Sequence, residues 1–408
     1  MDLRPILAGL LGLVVFPLSQ AQPRTLDLYT FTAPPYQVPD GENHVTGETV
    51  ETIVCAAAHA GFTARVKLAP QNRAIHSLKR NLVDGYFAID PSAELDAIAI
   101  RSNPVALEKW HFFTRDPELN TETARIGVVD GSNEKAWLIA NGYDIFLSIN
   151  SPSQLIALLK RGRIDTALMD ERIMHGMRTE ENAQAQSLHT HFLRYAPLYL
   201  YLSEAFTASE PEFIRQFNRS LPQCMESPLT LSAGESRRIL GLARDLFTEL
   251  DAAFNLQQAL EAGPRLASFT DVLTIDSKWQ ALAPGSATDL ASEILALPGS
   301  RALNAWQLNH NSLVTEILLI NDMGTIAAMS QLTSDFWQGD EPKFRTVTDT
   351  KTGTPPEIYI SPIHYDASTS EFQIIVSKAI RPQKDGKSTG VIALGLNIEV
   401  ALRSTEEY

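Results

Sequence analysis

Thr25–Phe31 alternates apolar and polar positions, the period of a half-buried strand. The Pro34-Pro35 turn and a Gly/Asp/Asn loop follow. Glu48–Ala60 switches to helical spacing and stops at Gly61, where a glycine just past the last turn ends a helix. Thr63–Leu68 predicts the next strand, Arg73–Asn81 a helix and Tyr86–Ile89 a short strand. This β-α-β-α-β order predicts a parallel α/β sheet. Trp110–Thr114 is an apolar strand, and then the rhythm restarts. It predicts a strand at Arg125–Val129, a turn at Gly131-Ser132-Asn133 and a helix over Glu134–Asn141 closed by Gly142. A helix over Ser151–Arg161, capped by Ser151 or Ser153, and a buried strand at Thr166–Met169 come next. Leu193–Ser203 returns as a strand, and Pro211–Leu221 is a helix ending near Cys224. Two α/β lobes, the second inserted in the first, account for this order.

Beyond the polar link Glu226–Ser232 the grammar changes. Glu235–Glu261 carries Ile239, Leu242, Leu246, Leu250 and Phe254 at helical spacing, and Gly263-Pro264 stops it. Shorter helices are predicted near Asp289–Leu297 and Arg301–Asn311. Val314–Ile320, Thr325–Ser330, Phe372–Ile380 and Gly390–Leu396 alternate as strands, with turns at Asp322-Met323-Gly324 and Lys384-Asp385-Gly386. Helices followed by an antiparallel meander are an α+β pattern. The domain reading is therefore 22–226 for the α/β part, with lobe 1 about 22–110 and 203–226 and lobe 2 about 115–195. Residues 231–408 form the α+β part.

The first 21 residues follow another pattern. Arg4 supplies a basic start, and Ile6–Leu18 is an apolar run of roughly 13 residues, short of the about 20 a membrane span needs. Ser19-Gln20-Ala21 places small residues at a cleavage site, so the mature chain is expected to begin at Gln22, after a secretory signal peptide. An uncleaved anchor or a buried helix is the alternative, disfavoured by Pro17 and the polar residues after it. The expected location is the periplasm.

The chain has 408 residues, enough for two or three domains, and an apolar fraction of 44% supports real cores. A formal charge of −14 argues against nucleic acid or an anionic membrane surface as partner. Cys55 and Cys224 are the two cysteines. In an oxidising compartment an even pair implies one disulfide, and two buried thiols are the alternative. A bond here would tie the beginning of a domain to its end.

Several motifs come in a characteristic order. They are Tyr29-Thr30-Phe31-Thr32-Ala33-Pro34-Pro35-Tyr36, Gly47 at a helix start, Leu82-Val83-Asp84-Gly85 and Arg101-Ser102-Asn103-Pro104. Ile126-Gly127-Val128-Val129-Asp130-Gly131-Ser132 and Arg161-Gly162-Arg163-Ile164-Asp165-Thr166-Ala167-Leu168-Met169-Asp170 complete the series. Over roughly Gln22–Cys224 the chain resembles a type II periplasmic solute-binding protein of the amino-acid-binding family. The resemblance implies a two-lobed α/β clamp that closes on a small molecule. Phe31 and Tyr36 flank a loop at the carboxyl end of a strand, where open α/β sheets bind ligands, and offer an aromatic wall. Ser132 and Asn133 sit at a helix start that can receive an anion. Asp170 matches the position where the family places an acid against a ligand ammonium. Each has a plainer reading as loop packing or helix capping, and Asp165 reads as structural. The family's usual arginine for the ligand carboxylate is here Leu95. Arg73 is the preferred substitute, with Arg101 as another basic residue nearby. The expected ligand is small, polar or amino-acid-like.

A second resemblance rests on the long leading helix and on Ile320-Asn321-Asp322-Met323-Gly324. It also rests on Thr333-Ser334-Asp335-Phe336-Trp337-Gln338-Gly339-Asp340-Glu341, Tyr365-Asp366-Ala367-Ser368 and Gly390-Val391-Ile392-Ala393-Leu394. From about Leu231 to Leu402 the chain resembles an extracytoplasmic PAS-like sensor domain of the Cache type. The resemblance implies a pocket near Trp337, Asp340, Tyr365 and Asp366, the plainer reading being core rings and turn caps.

The histidines show no metal spacing except His189-Thr190-His191 in a polar loop. No nucleophile elbow, phosphate loop or Cys-x-x-Cys is present, so neither enzyme activity, cofactor nor metal is expected. The expected function is capture of a small molecule and its report to a membrane sensor partner. The alternative is the binding component of an uptake transporter with a permease partner. Glu235-Ser236 is similar to the glutamate-serine pair of lytic transglycosylases, which leaves a cell-wall lytic enzyme as a remote third reading.

Overall fold

A computed structural model describes residues 24–41, 44–118, 120–121, 123–180, 188–225, 231–281, 286–310, 312–350, 353–366, 371–381 and 388–403. The segment Met1–Ala21 read as a signal peptide, most of the Glu226–Ser232 link, Ala367-Ser368 and the expected turn at Lys384-Asp385-Gly386 lie outside the described residues. The chain packs as two compact units. Among the described residues, one holds those within 24–88, 92–102 and 200–224, and the other those within 89–91, 103–199 and 225–403.

In the first unit, Arg24–Thr30 runs parallel to Phe62–Leu68 on one side and to Gly85–Ile89 on the other. The helix Glu48–His59 buries Val50, Ile53, Ala56 and Ala57 on one stripe, which is the amphipathic spacing read from the sequence. It begins at Gly47, whose φ of 114° lies in the left-handed region. A Cβ there would stand 2.5 Å from the Tyr36 carbonyl oxygen and 2.7 Å from that of Pro35, so only glycine admits this approach of loop to helix. The helix Phe213–Cys224 packs beside Glu48–His59. Phe62, Phe206 and Phe213 meet edge to face, with ring centroids 4.9–5.6 Å apart. Cys55 and Cys224 are bonded, joining these two helices across 169 residues of sequence.

In the second unit the strands follow the order Ala99–Thr114, Thr166–Asp170, Ile126–Val129, Ile145–Ile149. The first pair is antiparallel with Trp110 opposite Asp170, and the other pairs are parallel. Helices Asn133–Ala140 and Pro152–Lys160 connect the last three in sequence, and Glu171–Glu180 follows Thr166–Asp170. The run predicted as one helix over Glu235–Glu261 is two, Ala233–Ala253 and Leu256–Ala262. Phe254 is extended and Asn255 caps the second piece by accepting from the Gln258 N–H, so a capping residue overrides continuous apolar spacing.

The C-terminal sheet differs from a simple meander. Its order is Ile326–Met329, Val314–Asn321, Gly390–Asn397, Glu371–Ile380, Ile358–Ile360, every pair antiparallel. The last strand lies in the middle, paired on one side with Val314–Asn321 and on the other with Glu371–Ile380, and is buried along almost its whole length. Its core is shared. Leu107 and Tyr195 of the α/β part belong to the same buried cluster as Ile239, Leu246, Leu319 and Leu394. Arg403 also donates to the Leu193 carbonyl, 3.2 Å away.

Reduction of the disulfide, or Cys224→Ser, should destabilise the first unit by about 2–5 kcal/mol, given the long loop released. Thermal melts with and without reductant check this, and coincident melts would show a bond without energetic weight. Leu107→Ala should cost about 2–5 kcal/mol and lower the melting of the α/β part of the second unit together with the C-terminal sheet. Calorimetry that resolves an unshifted C-terminal transition in this variant would show separate cores.

Candidate functional site

The second unit gathers four carboxyl groups around one strand. Glu108 lies in the middle of Ala99–Thr114, 3% exposed, and accepts from the indole N–H of Trp110 at 2.8 Å. Asp170 ends Thr166–Asp170 and is fully buried. Its Oδ2 accepts from the backbone N–H of Lys109 at 2.9 Å, and its Oδ1 from those of Arg172 and Ile173 at 2.9 and 3.0 Å. The last two bonds cap the helix Glu171–Glu180. The Asp170 backbone N–H in turn donates to Oε1 of Glu134, 3.2 Å away in the first turn of Asn133–Ala140. Ser132 caps that helix by accepting from the Lys135 N–H. Asn133 is buried and takes the Asp90 N–H on its Oδ1 at 3.2 Å. Arg194 stands 3.6 Å from Asp90, with its guanidinium 5.3 Å above Trp110 and 5.7 Å above Trp137.

Burial disfavours charge on these acids. It raises Glu108 well above the carboxylate range, and the charges of Asp170, Glu134 and Asp90 push the same way. Burial brings Glu134 to about 7, with Asp170 adding to the rise while nearby N–H groups and Ser132 oppose it. Asp90 rises to about 6 through burial, opposed by Arg194. The guanidinium of Arg194 thus faces Asp90, and one indole N–H serves Glu108. An organic cation suits such acids, since carboxylates and ring faces attract it together.

Three residues expected at the site, Ser132, Asn133 and Asp170, come together here through helix caps and buried hydrogen bonds. Phe31, Tyr36 and Arg73 belong to the first unit. Phe31 is partly buried, and Tyr36 is 4% exposed with its backbone tied to Ala33 and Thr49. Arg73 is exposed in the first turn of Gln71–Lys79, Arg101 lies 3.7 Å from Asp96, and Leu95 is core. Glu108, Glu134, Asp90 and Arg194 were not singled out in the sequence. The one signal was an acid at 108 inside a run of buried apolar residues.

Around the C-terminal sheet, Trp337 donates its indole N–H to the Met323 carbonyl at 3.2 Å and packs edge-on against Phe269. Asp340 is exposed and borders a cavity of about 400 Å³ together with Arg345 and Asp349. Trp337, Tyr365 and Asp366 do not line that cavity. Tyr365 packs on Phe372, and Asp366 accepts from the Gln373 amide at 3.2 Å. The same amide reaches Glu316, whose carboxyl burial lifts to about 7. Glu235, the residue behind the lytic reading, is committed elsewhere. It closes a capping box with Ser232 and is hydrogen-bonded to Lys109. Burial would raise it, yet Lys109 and the hydrogen bonds from Ser232 together hold it below the usual range, the opposite of what a general acid requires. Among the described residues no helix is long and apolar enough to cross a membrane.

No protein-family model and no curated protein matches this chain. Solved structures do. An ancestral arginine-binding protein bound to arginine is 17% identical, with a TM-score of 0.40 over 49% of this chain and 91% of its own. An amino acid ABC transporter substrate-binding protein from Streptococcus pneumoniae, bound to L-arginine, is 16% identical, with a TM-score of 0.39 over 50% of this chain and 89% of its own. A histidine kinase sensor domain with similarity to periplasmic binding proteins is 18% identical, with a TM-score of 0.41 over 49% of this chain and 90% of its own.

The acids predict a pH dependence. Their folded pKa values are raised, so the folded chain holds protons that the unfolded chain has released. Stability should therefore be greatest below about pH 4.5 as far as these groups are concerned, and fall as pH rises toward about 7 through Glu134. Urea midpoints across this range check it, and Glu134→Gln should flatten the fall. A wild-type profile with no decline would show carboxyl groups of ordinary acidity.

Proposed function

We propose that this chain is an exported ligand-binding protein that takes a small organic cation, amino-acid-like or polyamine-like, against Glu108, Glu134 and Asp90. The observation that carries this is the buried cluster of carboxyl groups, in which burial and mutual repulsion raise Glu108 and Glu134 while Arg194 faces Asp90. A bound ammonium or guanidinium would let the acids ionise where burial otherwise keeps them protonated. Trp110 and Trp137 hold the Arg194 guanidinium over their ring faces beside the acids. The leader pattern and the Cys55–Cys224 bond support an oxidising compartment, the periplasm. A sensory role is favoured over uptake because the α/β part of the second unit shares its core with the Cache-like sheet. A change at the acids would then reach the long helix Ala233–Ala253.

Calorimetry with arginine, lysine and putrescine, and with glutamate as control, tests the site. Cations should bind, and Glu108→Gln or Glu134→Gln should weaken them by about 1–3 kcal/mol by removing a charged partner. Affinity should also fall as pH drops through about 7 to 6, where Glu134 and Asp90 take up protons. Absence of heat from every cation, or equal affinity in both amide variants, would remove the cluster from the site. Hydrogen exchange reads the sensory part: cation binding should alter protection in Ala233–Ala253, and unchanged protection there would favour a transport receptor.

A further inference from the structure

The first N–H groups of the helix Asn133–Ala140 have no acceptors within the helix, which makes its start a natural seat for an anion. Here that seat is filled from within. Glu134 stands in the first turn, 6% exposed, and turns its carboxyl back on the helix start. The carboxyl takes the backbone N–H of Glu134 and the hydroxyl of Ser132, and its Oε1 takes the N–H of Asp170 at 3.2 Å. Ser132 Oγ accepts from the Lys135 N–H, and the Asn133 side chain accepts from the Asp90 N–H. The donors that would receive a ligand carboxylate therefore hold a carboxyl of the protein's own.

The cations at this end of the unit are engaged in turn. Arg194 faces Asp90 at 3.6 Å and lies over the indole rings of Trp110 and Trp137. Lys135, in the same helical turn as Glu134, is ion-paired with Asp130. The acids are less well served. Glu108 takes the Trp110 indole N–H. The Asp90 side chain is 10% exposed, and its Oδ1, though near Arg194, makes no hydrogen bond with any described residue. A buried carboxyl oxygen without a donor costs free energy until a donor arrives from outside. Glu108, Glu134 and Asp90 carry three negative charges when ionised and Arg194 carries one positive charge, which leaves two to be met by a ligand.

We propose that this site excludes ligand carboxylates and takes a carboxylate-free amine, a diamine or a guanidino-amine, with Glu134 as the residue that sets the choice. The proposal rests on the cation reading above and narrows it. One cationic end of the ligand donates to Asp90 Oδ1, and its second charge is met by the remaining acids. An amino acid would bring its own carboxylate against the Glu134 carboxyl, and like charges repel strongly where water is excluded.

Calorimetry on the full chain compares agmatine with arginine and cadaverine with lysine, two pairs that differ by one carboxylate each. Each amine should bind about tenfold or more tightly than its amino acid. Glu134→Ala vacates the helix start, so the preference for agmatine over arginine should shrink about tenfold. Glu134→Gln leaves the place filled and should shrink it less. Thermal melts of both variants establish that they fold, and the wild-type pairs decide the exclusion even where a variant does not. The outcomes separate the two readings. Absence of heat from all four compounds removes the cation site and this proposal with it. Arginine and lysine binding as tightly as their amines keeps the cation site and overturns the exclusion. An agmatine preference unchanged in Glu134→Ala overturns the role of Glu134.

Discussion

The carboxyl of Glu108, buried in the middle of an apolar strand, sets the terms for much of the second unit. A carboxylate there is expensive without a partner, and the strand itself offers only the Trp110 indole. The neighbours that approach are more acids, Asp170 and Glu134, each already holding backbone N–H groups. Capping bonds explain why Asp170 tolerates full burial. They do not relieve Glu108. The cluster is therefore poised between a protonated state and one in which an outside cation completes it, and that is the physical content of the binding proposal.

The same strand joins the two chemistries of the unit. Its alternation separates an acidic, tryptophan-walled face from a face carrying Lys109 and His111. Lys109 reaches across to Glu235, the third residue of the long helix, and so couples the α/β part to the C-terminal part by a buried ion pair. An ion pair of this kind specifies geometry more than it adds stability. The apolar cluster that contains Leu107, Tyr195 and Leu394 spans the same junction.

Much of the architecture was readable in periodicity. The first parallel strands, the helix after Gly47 and the central C-terminal strands fall where alternation and helical spacing place them, because these are local consequences of side-chain direction. The break at Phe254–Asn255 was not readable, since the apolar spacing continues across it and only the cap ends the helix. The insertion of Gly390–Asn397 between two earlier strands was also hidden. Sequence order predicts neighbours, whereas the long-range pairing of this strand with Val314–Asn321 exists only in the folded sheet.

For the candidate site the division is sharper. Ser132, Asn133 and Asp170 could be named from helix starts and strand ends, which are local features. Glu108, Glu134, Asp90 and Arg194 are scattered over more than 100 residues, and nothing local links them. The sequence by itself determined the periods, the caps, the cysteine pair and the isolated acid at 108. Tertiary structure alone decided which acids face one another, because desolvation and mutual repulsion exist only once the strands at 99–114 and 166–170 lie side by side.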